Sequence, residues 1–435
     1  MSRGLRIVRL ANFITPVSGG LRTALRHLGA GYLAAGHQPV LVQPGPARQD
    51  ELTEQGRVVT LPGPVLPASG GYRVLTDRRA VARLLTELAP DRLEVSDRTT
   101  LRWTGPWARR HGIPAAMVSH ENVTGLLRTR GLPDPAARAL ADRLNSRTAH
   151  SYRTVICTTA WAAAEFARIG VPNLVRAPLG VDLAGLHPSR YDAALRARYA
   201  GPDRVLLVLC SRLSPEKRPG LALAALAELR RGGVDAALVV AGTGPLRARL
   251  AEQADRERLP VRFLGHLADR AQLAALLACA DVVLAPGPVE TFGLAALEAL
   301  ACGTPVAVSR SSALPDLVGP AGCAAADTGP GFAAAVRALL ARPAGERRAA
   351  ARARAERYGW PAAVAAFLAV HESAGESVHE SVTEPVRESA GELVREPGGE
   401  PIAGSAGSAG SAGEGVGAAV SGVAVSGARA PGRAG

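Results

Sequence analysis

The sequence predicts an α/β protein made of two doubly wound domains facing each other across a cleft, followed by a low-complexity tail. Short apolar runs of strand character alternate with Ala/Leu/Arg-rich helical stretches over most of the chain. That alternation is the pattern of parallel βαβ units with right-handed crossovers. It occurs as two series, separated by a breaker-rich passage over 176–200. From residue 372 onward the composition changes altogether.

In the first series, strands are expected at 5–10, 39–42, 115–119 and 154–158, with a helix over 21–33. The second carries strands at 205–210, 237–241, 281–285 and 305–308, with helices over 221–231, 246–258 and 294–301. The expected boundaries are 1–185 for the first domain, 186–203 for the hinge and 204–355 for the second domain. In the tail a glutamate recurs every fourth residue from Glu372 to Glu400, where like charges repel at i,i+4. Gly375, Pro385, Gly391 and Pro397 interrupt it, and Gly-Ser-Ala repeats follow. Residues 372–435 therefore read as a disordered tail without a catalytic role.

The 435 residues are 47% hydrophobic and 20% charged, enough to build a sizeable core. No apolar run approaches the ~20 residues a membrane span needs. Arg3, Arg6 and Arg9 interrupt the N-terminal apolar stretch, which reads as a basic strand and not as a signal peptide. The five scattered cysteines contain no C-x-x-C, so neither a disulfide framework nor a zinc site is expected and the cytoplasm is the expected compartment. The net charge is +13, and because the tail is acidic the body is more basic still. Such a body favours anionic partners: nucleotides, anionic lipid surfaces or nucleic acid.

Four local features could carry chemistry. Ser18-Gly19-Gly20 lies between the first strand and its helix, where small residues let backbone amides approach an anion, although a simple tight turn explains it as readily. It does not match the G-x-G-x-x-G dinucleotide fingerprint. Ser211-Arg212-Leu213-Ser214-Pro215-Glu216-Lys217 follows an apolar strand, and Lys217 is the only lysine in the chain. Arg212 and Lys217 at the carboxyl end of a strand suit a diphosphate, and Gly242 and Gly244 form a small-residue loop on the same rim. Glu290-Thr291-Phe292-Gly293-Leu294 leads into a helix carrying Glu298. If helical throughout, the two glutamates would stand about 12 Å apart, beyond the roughly 5–9.5 Å of a glycosidase pair. They suit different parts of one long ligand. Finally, Ser119-His120-Glu121 ends a strand of the first domain, where a histidine can bind a sugar hydroxyl or phosphate or serve a structural role. No Ser/His/Asp set, paired histidine ligands or G-x-S-x-G elbow supports a hydrolase or a zinc enzyme.

Taken together, these four motifs resemble the retaining glycosyltransferases of family 4, over roughly residues 5–370. The resemblance implies the GT-B fold, two Rossmann-like domains facing across a cleft, with 356–371 as a helix crossing back onto the first domain. It implies that Glu290 binds hydroxyls of a donor hexose and Glu298 the nucleotide ribose. Arg212 and Lys217 would stabilise the donor diphosphate, over which Gly19 and Gly20 let the first domain close. His120 would contact the donor sugar, and Gly242, Gly244, Thr291, Phe292, Gly293 and Leu294 would line the donor site. No metal or other cofactor is implied.

The stretch from Trp107 to Leu127 is similar to actinobacterial α-mannosyltransferases of phosphatidylinositol and related glycolipids. This implies GDP-mannose as donor and a lipid or polyol acceptor, with peripheral contact to the inner face of an anionic membrane. The alternatives are a UDP-sugar transferase or a nucleotide-sugar 2-epimerase of the same architecture. A nucleic-acid binder rests on charge alone, and with 4% aromatic residues and no recognition module it is not expected.

Overall fold

Strands buried on both faces of a parallel sheet need side chains without polar atoms on either side. The apolar runs of this chain meet that demand and become the central strands. The computed structural model describes residues 4–14, 19–66, 71–129 and 131–373, which fall in one compact unit. Ser18 and the tail from residue 374 lie outside the described residues.

The first sheet contains β1 (Arg6–Leu10), β2 (Gln38–Gly45), β3 (Gln49–Thr53), β4 (Gly56–Pro62), β5 (Arg92–Val95), β6 (Ala115–Ser119), β7 (Thr154–Cys157) and β8 (Leu174–Arg176). Their order is β3-β4-β2-β1-β5-β6-β7-β8, and every pair is parallel except the β3–β4 hairpin. The second sheet contains β9 (Val205–Cys210), β10 (Ala236–Ala241), β11 (Val261–Gly265), β12 (Val282–Ala285), β13 (Val306–Ser309) and β14 (Gly322–Ala325). It is wholly parallel, in the order β11-β10-β9-β12-β13-β14. Both sheets are Rossmann-like, and each reverses its winding once, between β1 and β5 and between β9 and β12. Open α/β sheets bind ligands at such reversals, beyond the carboxyl ends of the strands. The loops after β9 and β12 carry Arg212, Lys217 and Glu290 to that place.

Beyond the expected strands, the sheets include β3, β4, β5, β8, β11 and β14. The hairpin strand β3, QDELT, lies on the sheet edge with its residues largely exposed, so nothing in its environment asks for an apolar pattern. Strand β5 is central, yet it carries Arg92 and Glu94.

Glu94 is tolerated because its partners are already in place. Arg9 pairs with it at 3.3 Å, the Tyr32 hydroxyl donates to it at 2.8 Å, and His371 Nε2 lies 3.0 Å away. Burial pushes this carboxyl up. The His371 hydrogen bond, the charge of Arg9 and the Tyr32 hydroxyl overcome that and leave it at about 2.

Two passages of chain join the domains side by side. Val181 forms an isolated parallel bridge with Gly359, and its amide donates to the Tyr358 carbonyl at 2.8 Å. Helix Trp360–Glu372 then lies on helix Gly20–Ala34, where Val364 occupies the space a Cβ on Gly31 would need. Ala363 and Phe367 join Leu28 and Tyr32 in an apolar cluster that continues through Leu179 and Val181 into Leu277 and Leu297 of the second domain. Burying a side chain such as Phe367 contributes about 1.5–3 kcal/mol.

Candidate active site

The loop after β9 is held against β10 and its following loop. Leu213 donates to the Thr243 carbonyl at 2.9 Å, and its own carbonyl accepts from Leu246 at 3.0 Å. This approach leaves no room for side chains on the neighbouring loop: a Cβ on Gly242 would overlap the Ser211 carbonyl oxygen, and one on Gly244 the Leu213 carbonyl oxygen. The two glycines thus seat the Arg/Lys loop, and only Gly242 also lines the cavity it borders.

Within that loop Pro215–Lys217 form one 3₁₀ turn. Ser214 donates to Glu216 at 2.6 Å, and Arg212 pairs with the same carboxylate at 3.1 Å. Burial alone would raise the Glu216 carboxyl, but the Ser214 hydrogen bond, a backbone amide and the charges of Arg212 and Lys217 lower it overall. The guanidinium of Arg212 also lies 5.9 Å from the ring of Tyr72, a first-domain residue, at cation–π range.

After β12 the chain turns through Pro286 and Gly287 to Glu290, whose carbonyl accepts from Ala313 at 3.0 Å. Gly293 then takes a left-handed conformation (φ 76°), and a Cβ there would overlap Leu314. Helix Leu294–Ala301 starts directly after it, so its N-terminus opens onto the cavity. Because Glu290 lies in the loop ahead of the helix, the fully helical spacing of the two glutamates does not apply.

A cavity of about 260 Å³ brings the motifs together. Its walls include Gly19 and Gly20 at the start of the first helix, together with Arg212, Lys217 and Gly242. Glu290, Gly293, Leu294 and Glu298 join them. A Cβ on Gly20 would stand 3.7 Å from the Leu294 side chain, so two helix N-termini from opposite domains meet here. The dipoles of both favour an anion between them. Across the cavity Lys217 Nζ donates to Glu290 Oε2, pairing the side chains expected to hold diphosphate and sugar.

Some expected site residues lie elsewhere. Thr291 is buried, and its carbonyl accepts from the first-domain Thr159 hydroxyl at 2.9 Å, while Phe292 packs edge-on against Tyr358. Both therefore support the loop from behind. His120 is not in the cavity wall; its Nε2 lies 3.2 Å from Ser96 Oγ. Burial lowers its pKa, Glu94 opposes this and Arg98 and Arg9 add to it, leaving it at about 4. It is a neutral imidazole at the carboxyl end of β6.

The wall also holds residues outside the expected set, Thr23 and Arg270 among them. Thr23 is the next turn of the first helix beyond Gly19-Gly20. Arg270 opens helix Arg270–Cys279 and pairs with Glu298 at 2.9 Å. A cation in the first turn of a helix works against the helix dipole, a signal legible in the sequence behind the capping residue Asp269. Among the described residues, no cluster of three or more His, Cys, Asp or Glu side chains could hold a metal ion.

Two family models match the two domains: "Glycosyl transferase 4-like domain" over 19–180 and "Glycosyl transferases group 1" over 195–358. The chain is 51% identical over 370 residues to a GDP-mannose-dependent alpha-(1-6)-phosphatidylinositol dimannoside mannosyltransferase of Mycobacterium tuberculosis. That match covers 84% of this chain and 95% of the relative. It is 35% identical over 275 residues to a D-inositol 3-phosphate glycosyltransferase of Kineococcus radiotolerans, covering 56% and 61% of the two chains. Among solved structures, sucrose-phosphate synthase from Thermosynechococcus elongatus superposes with a TM-score of 0.68 at 20% identity, covering 85% of this chain and 99% of that one. Anabaena HepE in complex with UDP and glucose gives a TM-score of 0.66 at 17% identity, covering 86% of this chain and all of the other. Two Rossmann-like domains in the GT-B arrangement, matched by both family models and by a relative along nearly its whole length, make this chain a member of the family 4 glycosyltransferases.

Proposed function

We propose that the protein transfers mannose, with retention, from GDP-mannose to a phosphatidylinositol mannoside or a related lipid-linked polyol. The observation that carries this reading is the cavity at the β9/β12 reversal, where Arg212, Lys217 and two helix N-termini surround space beside Glu290. Cations and amides in that arrangement suit a diphosphate, and the adjoining carboxylate suits sugar hydroxyls. The choice of mannose, GDP and lipid is supported by the 51% identical relative, whose name states that donor and acceptor.

On this reading the donor diphosphate takes Lys217 from Glu290. The freed carboxylate then accepts from the hexose hydroxyls, so each charge exchanges its partner without being left bare. As the bond from the anomeric carbon to the diphosphate oxygen breaks, Arg212 and Lys217 neutralise the charge leaving with the diphosphate. The acceptor oxygen bonds to the same face of the anomeric carbon, and its proton passes to the departing phosphate oxygen. Removing one such electrostatic stabiliser typically costs about 10²–10³ in rate. Gly19 and Gly20 leave the first-domain wall low enough to close over the phosphates, and Glu298 receives the ribose.

The basic body suits the anionic face of a membrane, where each Lys or Arg near the surface contributes about 1 kcal/mol. No helix among the described residues is long and apolar enough to cross that membrane. Cytoplasmic action on the inner leaflet is supported by the five cysteines, all of them free thiols.

Calorimetric titration of GDP and UDP, with NAD as control, tests the donor. Incubation with GDP-mannose and vesicles containing phosphatidylinositol mannosides then tests the transfer. Preferential binding of GDP and a lipid product heavier by one hexose are expected. A preference for UDP replaces the donor, and sugar isomerisation without an acceptor replaces transfer by epimerisation.

A further inference from the structure

Glu298 stands one turn into helix Leu294–Ala301 with its side chain 10% exposed, a position that disfavours a charge. Burial does push its carboxyl up, and Arg270 acts against that push while Asp182 adds to it. The other titratable neighbours offer no second cation. Cys210 of β9 and Cys302 beyond the helix are thiols pushed up to about 12, mainly by burial and further by the Glu298 charge. Among the described residues, Arg270 Nη2 to Oε1 is the one side-chain hydrogen bond that Glu298 receives, and Oε2 receives none. Arg270 itself is 46% exposed on the cavity wall, at a helix start where the dipole opposes a cation. Nothing in its own helix therefore favours an arginine at that position; the partner across the cavity wall does.

We propose that Arg270 is a positioning residue for donor binding, whose guanidinium occupies Glu298 Oε1 and holds the carboxylate ionised and turned so that Oε2 accepts from a ribose hydroxyl. This rests on the assignment of Glu298 to the ribose of a nucleoside diphosphate. A carboxyl group offers both of its oxygens purely as acceptors only while it is charged. A protonated Glu298 would present a donor on one oxygen and lose half of that capacity. Arg270 occupies Oε1 and leaves Oε2 to the ligand.

The test uses the full chain and its Arg270→Gln and Arg270→Lys variants. Each is titrated with GDP and with the 2′,3′-dideoxy analogue of GDP from about pH 6 to about pH 8. Wild type is expected to prefer GDP over the analogue throughout. Arg270→Gln is expected to bind GDP about tenfold more weakly at the acid end, the scale of a lost charged hydrogen bond. Its affinity should recover as pH rises and Glu298 ionises unaided, and its preference for the ribose should shrink at low pH alone. Arg270→Lys, which keeps the charge, restores both. An equal loss at every pH with the ribose preference intact overturns the proposal, because a direct phosphate contact or a purely structural role behaves that way. The Glu298→Gln variant separates the two levels. If it keeps the wild-type ribose preference, the ribose assignment falls and takes the proposal with it.

Discussion

In the first domain the strongest charges are locked away. Arg9 and Glu94 are each 1% exposed, His371 is 2% exposed, and the Tyr32 hydroxyl closes the group. In the second domain Lys217 and Glu290 pair at 19% and 28% exposure, and Arg270 and Glu298 at 46% and 10%, all on the wall of the cavity. The first cluster joins β1, β5 and the returning helix, and no ligand can replace any of its partners. On the proposed function, the second set consists of pairs that a diphosphate, a sugar and a ribose take apart one at a time. On that reading, burial separates these two sets into one that holds the domains in register and one that waits for substrate.

The sharpest way to break this division is Glu94→Gln. It leaves Arg9 in the core without a counter-charge, and breaking a buried pair costs about 3–5 kcal/mol. The melting temperature should fall steeply, while protein that remains folded should bind GDP with unchanged affinity. The pH dependence has a definite sign. The unfolded carboxyl takes up a proton near its ordinary 4.5, whereas the folded one does so only near 2. The stability Glu94 contributes is therefore complete above about pH 4.5 and is lost as pH falls toward 2. The variant should show a flatter acid-unfolding profile over that window. A loss of GDP affinity without a loss of stability would move Glu94 into the other class.

Glu290→Ala tests the opposite class. It should lower kcat by about 10²–10³ or more, with the Kd for GDP and the melting temperature close to wild type. Truncating Glu290 releases Lys217 to the phosphates and leaves no buried charge alone. A weakened Kd with turnover preserved would exchange the roles of sugar and phosphate contacts. Lys217→Arg comes next, at about tenfold in kcat/KM. A planar guanidinium cannot reproduce a compact ammonium set between Glu290 and a phosphate, and full activity would make the sole lysine a coincidence.

Much of this second class was legible in the sequence, because its residues sit in loops that directly follow apolar strands. The runs ahead of Arg212 and Glu290 mark β9 and β12, and the reversal of winding between those strands places both loops on one rim. The buried cluster was not legible. Strand β5 reads as RLEV, and only the three-dimensional placement of Arg9, Tyr32 and a helix more than 270 residues later turns Glu94 into a core residue. Edge strands such as β3 were missed for a different reason, since a largely exposed strand carries no periodic signal. Arg270 fell between the two cases. Its unfavourable place at a helix start was visible, but its partner lies 28 residues away and becomes a neighbour only through the βα winding.

His120 tests where the boundary between the two classes runs, and the expected effect is the smallest. It stands at a strand end in the first domain, near the buried Glu94, Arg98 and Arg9, and burial is the main reason it titrates at about 4. It is therefore neutral throughout the working range, so kcat should show no inflection from this group between about pH 5 and about pH 8. Nitrogen chemical shifts of the ring should report one neutral tautomer across the same interval. The link to stability runs in the same direction as that of Glu94. The unfolded imidazole binds a proton near 6.5 and the folded one only near 4, so stability declines as pH falls through that interval. His120→Asn keeps a side chain able to reach Ser96 and removes the titration, so the difference in melting temperature from wild type should change with pH between those two values and nowhere else. If the ring instead titrates near 6.5 in the folded protein and kcat follows it, His120 belongs with the exchangeable charges of the cavity, and the first domain supplies more than glycines to the reaction.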